Sequence, residues 1–288
     1  MKLLQIEFKK IVGNKSFKVF GIMFLVFLPL LAILFPSMVS VDVQDEKFYL
    51  FAPTNFESSW YAINFISSWF CFFLLSFILI YHITNEYNYR TVRQNVIDGY
   101  TRSDYLKGKF YLMLTLLVFA TIYVWLIGAL GGLYFSSLTP KDPTVIQEFF
   151  KNMNGVDTDI IANNFGSITD GMENVLRFFV QNLGAFSLAF LAAFLVKRGI
   201  LAVLLFFGTF IVSWIGERIF EANNLAFINS YLPTNAFRNS LPWPSLTSML
   251  SGITSPESFN WLAIGLTIVY SIVFILLSKR LFFQRDIS

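Results

Sequence analysis

Six long apolar stretches of this chain carry no Asp, Glu, Lys or Arg: 19–41, 58–85, 110–140, 178–196, 199–216 and 258–278. The shortest has 18 residues and as a helix reaches about 27 Å at roughly 1.5 Å per residue, close to the thickness of a bilayer core. The pattern therefore predicts an all-α polytopic membrane protein with six transmembrane helices, at about 18–40, 60–84, 109–133, 177–196, 199–216 and 259–279. The fourth and fifth are separated only by Lys197 and Arg198, which predicts a tight hairpin, since two adjacent cations are costly at mid-membrane.

Between and before these runs the pattern changes. Over 1–12, Leu4, Phe8, Ile11 and Val12 share one helical face while Lys2, Gln5 and Lys9 point elsewhere, the signature of an interfacial amphipathic helix over 1–14 ended by Gly13 and Asn14. A cleaved signal peptide fits poorly, because the run that follows is too long for its apolar region and no small-residue cleavage site comes after it. Segment 85–109 is polar. Residues 88–96 lack Gly and Pro and predict a stub helix with Arg90, Arg93 and Gln94 near one face, which Asp98 and Gly99 end. Thr101 with Asp104 reads as a capping box from which a second helix runs into the membrane. On the other side, 134–176 contains a short amphipathic pattern (Val145, Phe149, Phe150, Met153), and 217–258 mixes aromatic residues with Pro233, Pro242 and Pro244, as suits a segment in the headgroup layer or dipping back into it.

Charge then orients the whole. Fifteen of the 21 Lys and Arg fall on the side holding both termini and the 85–109 loop, so that side is cytosolic by the positive-inside rule. Composition agrees with a membrane class: 56% of residues are hydrophobic, 14% are charged and there are 35 phenylalanines.

Recognisable chemistry is sparse. Cys71 stands alone, which rules out a disulfide within the chain or a cysteine metal site, and it reads as a buried small hydrophobe. The only histidine, His82, reads as an interfacial residue at the inner end of the second span. Gly108 and Lys109 lack the rest of a phosphate-binding loop, and Asp157 with Asp159 lacks the spacing of a calcium loop. No acid lies within a predicted span, which disfavours an intramembrane protease or an ion-coupled carrier. Neutral polar residues do occur there. Most serve helix packing, as the small-residue repeats Gly128/Gly132 and Ala185/Ala189/Ala193 suggest, while Asn64, Ser67, Ser68, Gln181 and Asn182 are candidates to line a path.

The basic N-terminal helix, Asn14-Lys15-Ser16-Phe17 entering the first span, and Glu86-Tyr87 with Thr91-Val92-Arg93-Gln94-Asn95-Val96-Ile97-Asp98-Gly99 after the second resemble the permease subunit of bacterial type-two ABC exporters. That resemblance implies a multi-pass protein of the bacterial inner membrane. It also implies a cytosolic coupling helix in which Glu86, Tyr87, Tyr89, Arg90, Thr91, Arg93, Gln94 and Asp98 meet a separate ATPase subunit, present in two copies. ATP and Mg would be bound by that partner, leaving this chain without catalytic residues, metal or cofactor of its own. A second permease copy or homologous permease, membrane lipids and an envelope partner on the outer loops are the other partners implied, with no nucleic acid. The function implied is export of an amphipathic, lipid-like or peptide substrate. The alternative is a non-transporting membrane anchor or force-transmitting subunit of an envelope machine driven by an ABC ATPase.

Overall fold

The computed structural model of the chain describes residues 2–37, 40–43, 46–49, 71–88, 101–138, 168–240 and 260–284. It is helical apart from one short hairpin. Helix α1 (Lys2–Gly13) meets α2 (Lys15–Ser37) at a bend of 86°. Asn14 makes the elbow: its side chain accepts from the Ser16 amide at 3.0 Å and its carbonyl accepts from Lys18 at 3.1 Å, so one residue caps the second helix as the first ends. The uncharged run 19–41 predicts helix to its end, but α2 stops at Ser37, and Ser40–Val43 pairs antiparallel with Glu46–Tyr49 as β1 and β2.

A π-helical turn, Cys71–Leu75, leads into α3 (Ser76–Asn88). Then come α4 (Arg102–Leu138), α5 (Ile168–Val196), α6 (Gly199–Ala222), a 3₁₀ turn (Ala226–Tyr231), α7 (Pro233–Ser240) and α8 (Trp261–Gln284). Among the described residues four helices are long and apolar enough to cross a membrane, Arg102–Leu130, Val175–Val196, Gly199–Ala222 and Trp261–Gln284, and the bent pair α1 and α2 would make a fifth if it forms one span. The structure thus carries a membrane protein's architecture. Each of these helices outruns its uncharged stretch, because backbone hydrogen bonding continues past the apolar core for as long as the side chains tolerate it.

The predicted capping box is present. Asp104 N donates to Thr101 Oγ1 at 3.1 Å, and the Thr101 hydroxyl donates to the Asp104 carboxylate at 2.6 Å. The predicted tight hairpin is present too. Lys197 adopts φ 59°, its amide donates to the Ala193 carbonyl at 3.2 Å, and α6 begins two residues later.

Helix α5 is central, packing on α3, α4, α6, α7 and α8. Ala185, Ala189, Ala192 and Ala193 are fully or almost fully buried, so small side chains let its neighbours approach closely. The phenylalanines do the converse job between α3 and α6, where Phe72, Phe73 and Phe77 pack against Phe206, Phe207 and Phe210 with ring centroids 4.8–6.5 Å apart. The outer faces of α2, α4, α6 and α8 expose Leu, Ile, Val and Trp side chains, as lipid-facing helices do.

Helix α7 packs between α5 and α8, with Phe237 buried against Gly184. A Cβ at Gly184 would lie 2.5 Å from the Phe237 ring. Gly184→Val is therefore expected to cost about 1–3 kcal/mol through overpacking, read as a lower midpoint in a thermal-stability assay of the solubilised protein. Adding Phe237→Leu, which vacates the contested space, should recover part of the loss.

Candidate functional site

Two places gather polar side chains inside this apolar frame. The first lies where α1 packs against the C-terminal part of α3 and the N-terminal part of α4. Glu7 falls between Leu4 and Ile11 on the inward side of α1. His82 and Glu86 share one face of α3 at a spacing of four, and Lys109 projects from α4. All four side chains are buried, Lys109 with no exposed surface at all. The Lys109 ammonium pairs with Glu7 and with Glu86 Oε2 at 2.8 Å, and lies 2.9 Å from His82 Nε2 and 5.1 Å from the centre of the Tyr105 ring. His82 Nε2 is also 3.0 Å from Glu7 Oε2. Lys10, at the edge, reaches Glu7 and Glu86 at 3.5 Å each.

Counting two carboxylates, two ammonium groups and a neutral imidazole, the cluster balances to zero. That balance makes its burial affordable. Nε2 of His82 can donate to Glu7 or accept from Lys109, but one nitrogen cannot do both at once, so the two contacts call for different tautomers of the imidazole. Burial alone would raise the Glu7 carboxyl. The His82 hydrogen bond and the Lys109 charge outweigh it and hold the group down at about 2.

Glu7, His82 and Glu86 offer ligand atoms within 4.8 Å of one another, the makings of a metal site. The Lys109 ammonium stands in the cation's place, so the donors are satisfied by a side chain of the chain itself. Gly108 makes the approach possible: a Cβ there would lie 3.2 Å from Glu7 Cγ. A groove of about 620 Å³ opens above the cluster, lined by Lys10, Asn14, Lys15, Tyr81, Asn85 and Glu86 among others.

These positions revise the sequence expectations. His82 is a buried member of an ionic network, 3% exposed, where the sequence offered no partner for it. Lys109 is no solvated loop cation. Of the α1 stripe, Ile11 is buried, while Phe8 and Val12 are 49% and 41% exposed and turn away from the protein. Among the coupling candidates, Glu86 lies in the cluster, and Tyr87 packs edge-on against Phe194 at 6.3 Å with the Lys197 ammonium 5.3 Å over its ring. Tyr89, Arg90, Thr91, Arg93, Gln94 and Asp98 lie outside the described residues, as do the predicted stub helix, Asn64, Ser67, Ser68, Val145, Asp157 and Asp159.

The second place is a cavity of about 510 Å³ bounded by Phe72 and Phe73 from the π-helical turn, Gln181 of α5, Phe210 and Trp214 of α6, and Thr234, Asn235 and Arg238 of α7. Several polar groups in the helices donate to their own backbone. Asn182 Nδ2 donates to Phe178 O at 2.9 Å, and Ser187, Thr209, Thr267 and Ser271 donate to carbonyls one turn back. Asn182 is anchored by that bond and does not line the cavity, whereas Gln181 does.

No family profile matches this chain, and no curated protein matches it. The fold and the two sites define a helical membrane protein.

Proposed function

We propose that the chain is the membrane-spanning permease subunit of a type-two ABC exporter in the bacterial inner membrane, with six spans and both termini cytosolic. It works as a pair with a second permease and is driven by two copies of a separate ATPase. The observation that carries this reading is the ionic cluster. Segment 89–100 joins the inner ends of α3 and α4, and Lys109 of α4 pairs both with Glu86, at the end of α3, and with Glu7 of the interfacial helix. A push on the segment would then move both spans and α1 as one body, as a coupling element requires. The cavity bounded by α6 and the turn before α3 supports movement of a substrate in preference to a purely mechanical role.

Affinity purification of the tagged chain from its native membrane should recover an ATPase of about 25–35 kDa, one or two ordinary domains in size. ATP hydrolysis in that preparation should disappear when the ATPase is stripped away. Hydrolysis retained by the chain alone, or the absence of any such partner, would overturn the assignment.

A further inference from the structure

We propose that the cavity between the turn 71–75, α5, α6 and α7 is a binding site for a lipid with an uncharged, hydroxyl-bearing headgroup. Its walls are aromatic: Phe72, Phe73, Phe210 and Trp214 present ring faces and edges to an acyl chain. Its polar end is built from buried side chains whose hydrogen-bonding capacity is unspent. Gln181 is 2% exposed and Thr234 is 5% exposed, and neither Gln181 Oε1 nor Thr234 Oγ1 has a hydrogen-bond partner among the described residues. Each stands three residues before the Gly184–Phe237 contact, on α5 and α7 respectively, so one packing interaction fixes both.

An orphaned buried acceptor costs about 1–3 kcal/mol until something donates to it. Gln181 Oε1 can only accept, so the complementary ligand must carry a donor. The Thr234 hydroxyl, on the wall of the same cavity, can donate or accept, which matches a second hydroxyl oxygen. Charge narrows the class further. Among the described residues no carboxylate lines the cavity, and the cation that does, Arg238, is already held by Glu217 at 2.7 Å. A cationic headgroup finds no counter-charge, and an anionic one has to break an existing ion pair. The volume is within the range of small-molecule pockets, roughly 300–1,000 Å³. It admits a headgroup and part of a chain, with the remainder of the chain passing out beside the half-exposed Trp214. That this lipid is the exported cargo rests on the permease reading above. The chemistry of the site does not.

The test uses the full chain in native membranes and a monoacylglycerol bearing a diazirine in its acyl chain, with the methyl ester of the same fatty acid, which has no hydroxyl, as comparison. After irradiation, mass spectrometry of peptides should place the glycerol probe on those containing Phe72, Phe73 or Phe210, at least tenfold above the methyl ester. Gln181→Met, close in volume and without an acceptor, should abolish that preference, and Thr234→Val should weaken it. Should Gln181→Met fail to give a monodisperse protein, Thr234→Val decides alone. Equal labelling by the two probes, or a preference that survives the variants, overturns the site. ATP added to membranes holding the complete complex should lower the labelling if the lipid is cargo. Labelling that persists unchanged overturns the cargo role and leaves the lipid site standing.

Discussion

Replacing Lys109 by Met should remove most of the folded protein from the membrane. The variant keeps the length of the side chain and deletes its charge, leaving Glu7 and Glu86 buried without the ammonium that joins them. Breaking a buried ion pair from one side costs about 3–5 kcal/mol, because the remaining charge is left uncompensated. That is a large share of the stability of an ordinary domain. The measurement is the thermal midpoint and monodisperse yield of the detergent-solubilised protein. Adding Glu7→Gln and Glu86→Gln should restore much of the loss, since the triple variant buries neutral groups only. A Lys109→Met protein as stable as the parent would mean that the cluster is hydrated and carries little. Lys109→Ala has a further expected behaviour: with the ammonium gone, Glu7, His82 and Glu86 keep ligand atoms within 4.8 Å, so Zn²⁺ should raise the midpoint of this variant and leave the parent unchanged.

The same geometry sets a pH dependence. The Glu7 carboxyl is held at about 2 in the folded protein, against 4.5 ordinarily. A depressed carboxyl contributes stability that is fully present above the unfolded value and is lost as pH falls towards the folded one. The Glu7 contribution should therefore be flat from neutrality down to about pH 5 and decline between about pH 4.5 and 2. Comparing the parent with Glu7→Gln across that range isolates it.

Reversing Arg90 and Arg93 to Glu should uncouple the chain from its ATPase without disturbing its insertion. On the reading proposed here both arginines present positive charge to a partner surface, and reversal replaces attraction by repulsion. Close charge pairs across interfaces couple by roughly 2 kcal/mol or more, so a loss of at least thirtyfold in affinity is expected. Co-purification and ATPase activity should both fall, while the Lys/Lys double variant, which keeps the charge, should retain most of each. Normal docking by a correctly inserted double-Glu protein would reduce the loop to a solvated connector and remove the main support for motor coupling.

Much of the candidate chemistry was in plain view in the sequence and went unread because its members are far apart. Glu7 interrupts the apolar stripe of α1 between Leu4 and Ile11, a place where a carboxylate needs a buried partner. His82 and Glu86, four apart at the end of an apolar run, share a helical face. Lys109 looked like one more cation of a cytosolic loop, and the positive-inside count that oriented the chain hid it by treating every Lys as solvated. Nothing local joins residue 7 to residue 109. A sharper signal was Gly108 beside Lys109, a gap in a helix that something had to fill, and Glu7 fills it.

The sequence by itself determined the membrane class, the helical character of the apolar runs over most of their described length, the hairpin turn at Lys197 and Arg198, and the start of α4 at Thr101. Each depends on local physics: continuous burial of backbone polar groups in lipid, the cost of charge there, and the capping of a helix end by the nearest side chain. Tertiary structure alone decided where α2 ends, which face of α1 is buried, how far each helix runs beyond its apolar stretch, and which polar groups meet. Those outcomes depend on contacts between segments tens of residues apart, such as Glu7 with Lys109 and Gly184 with Phe237. Their energies appear in neither segment until the other is in place.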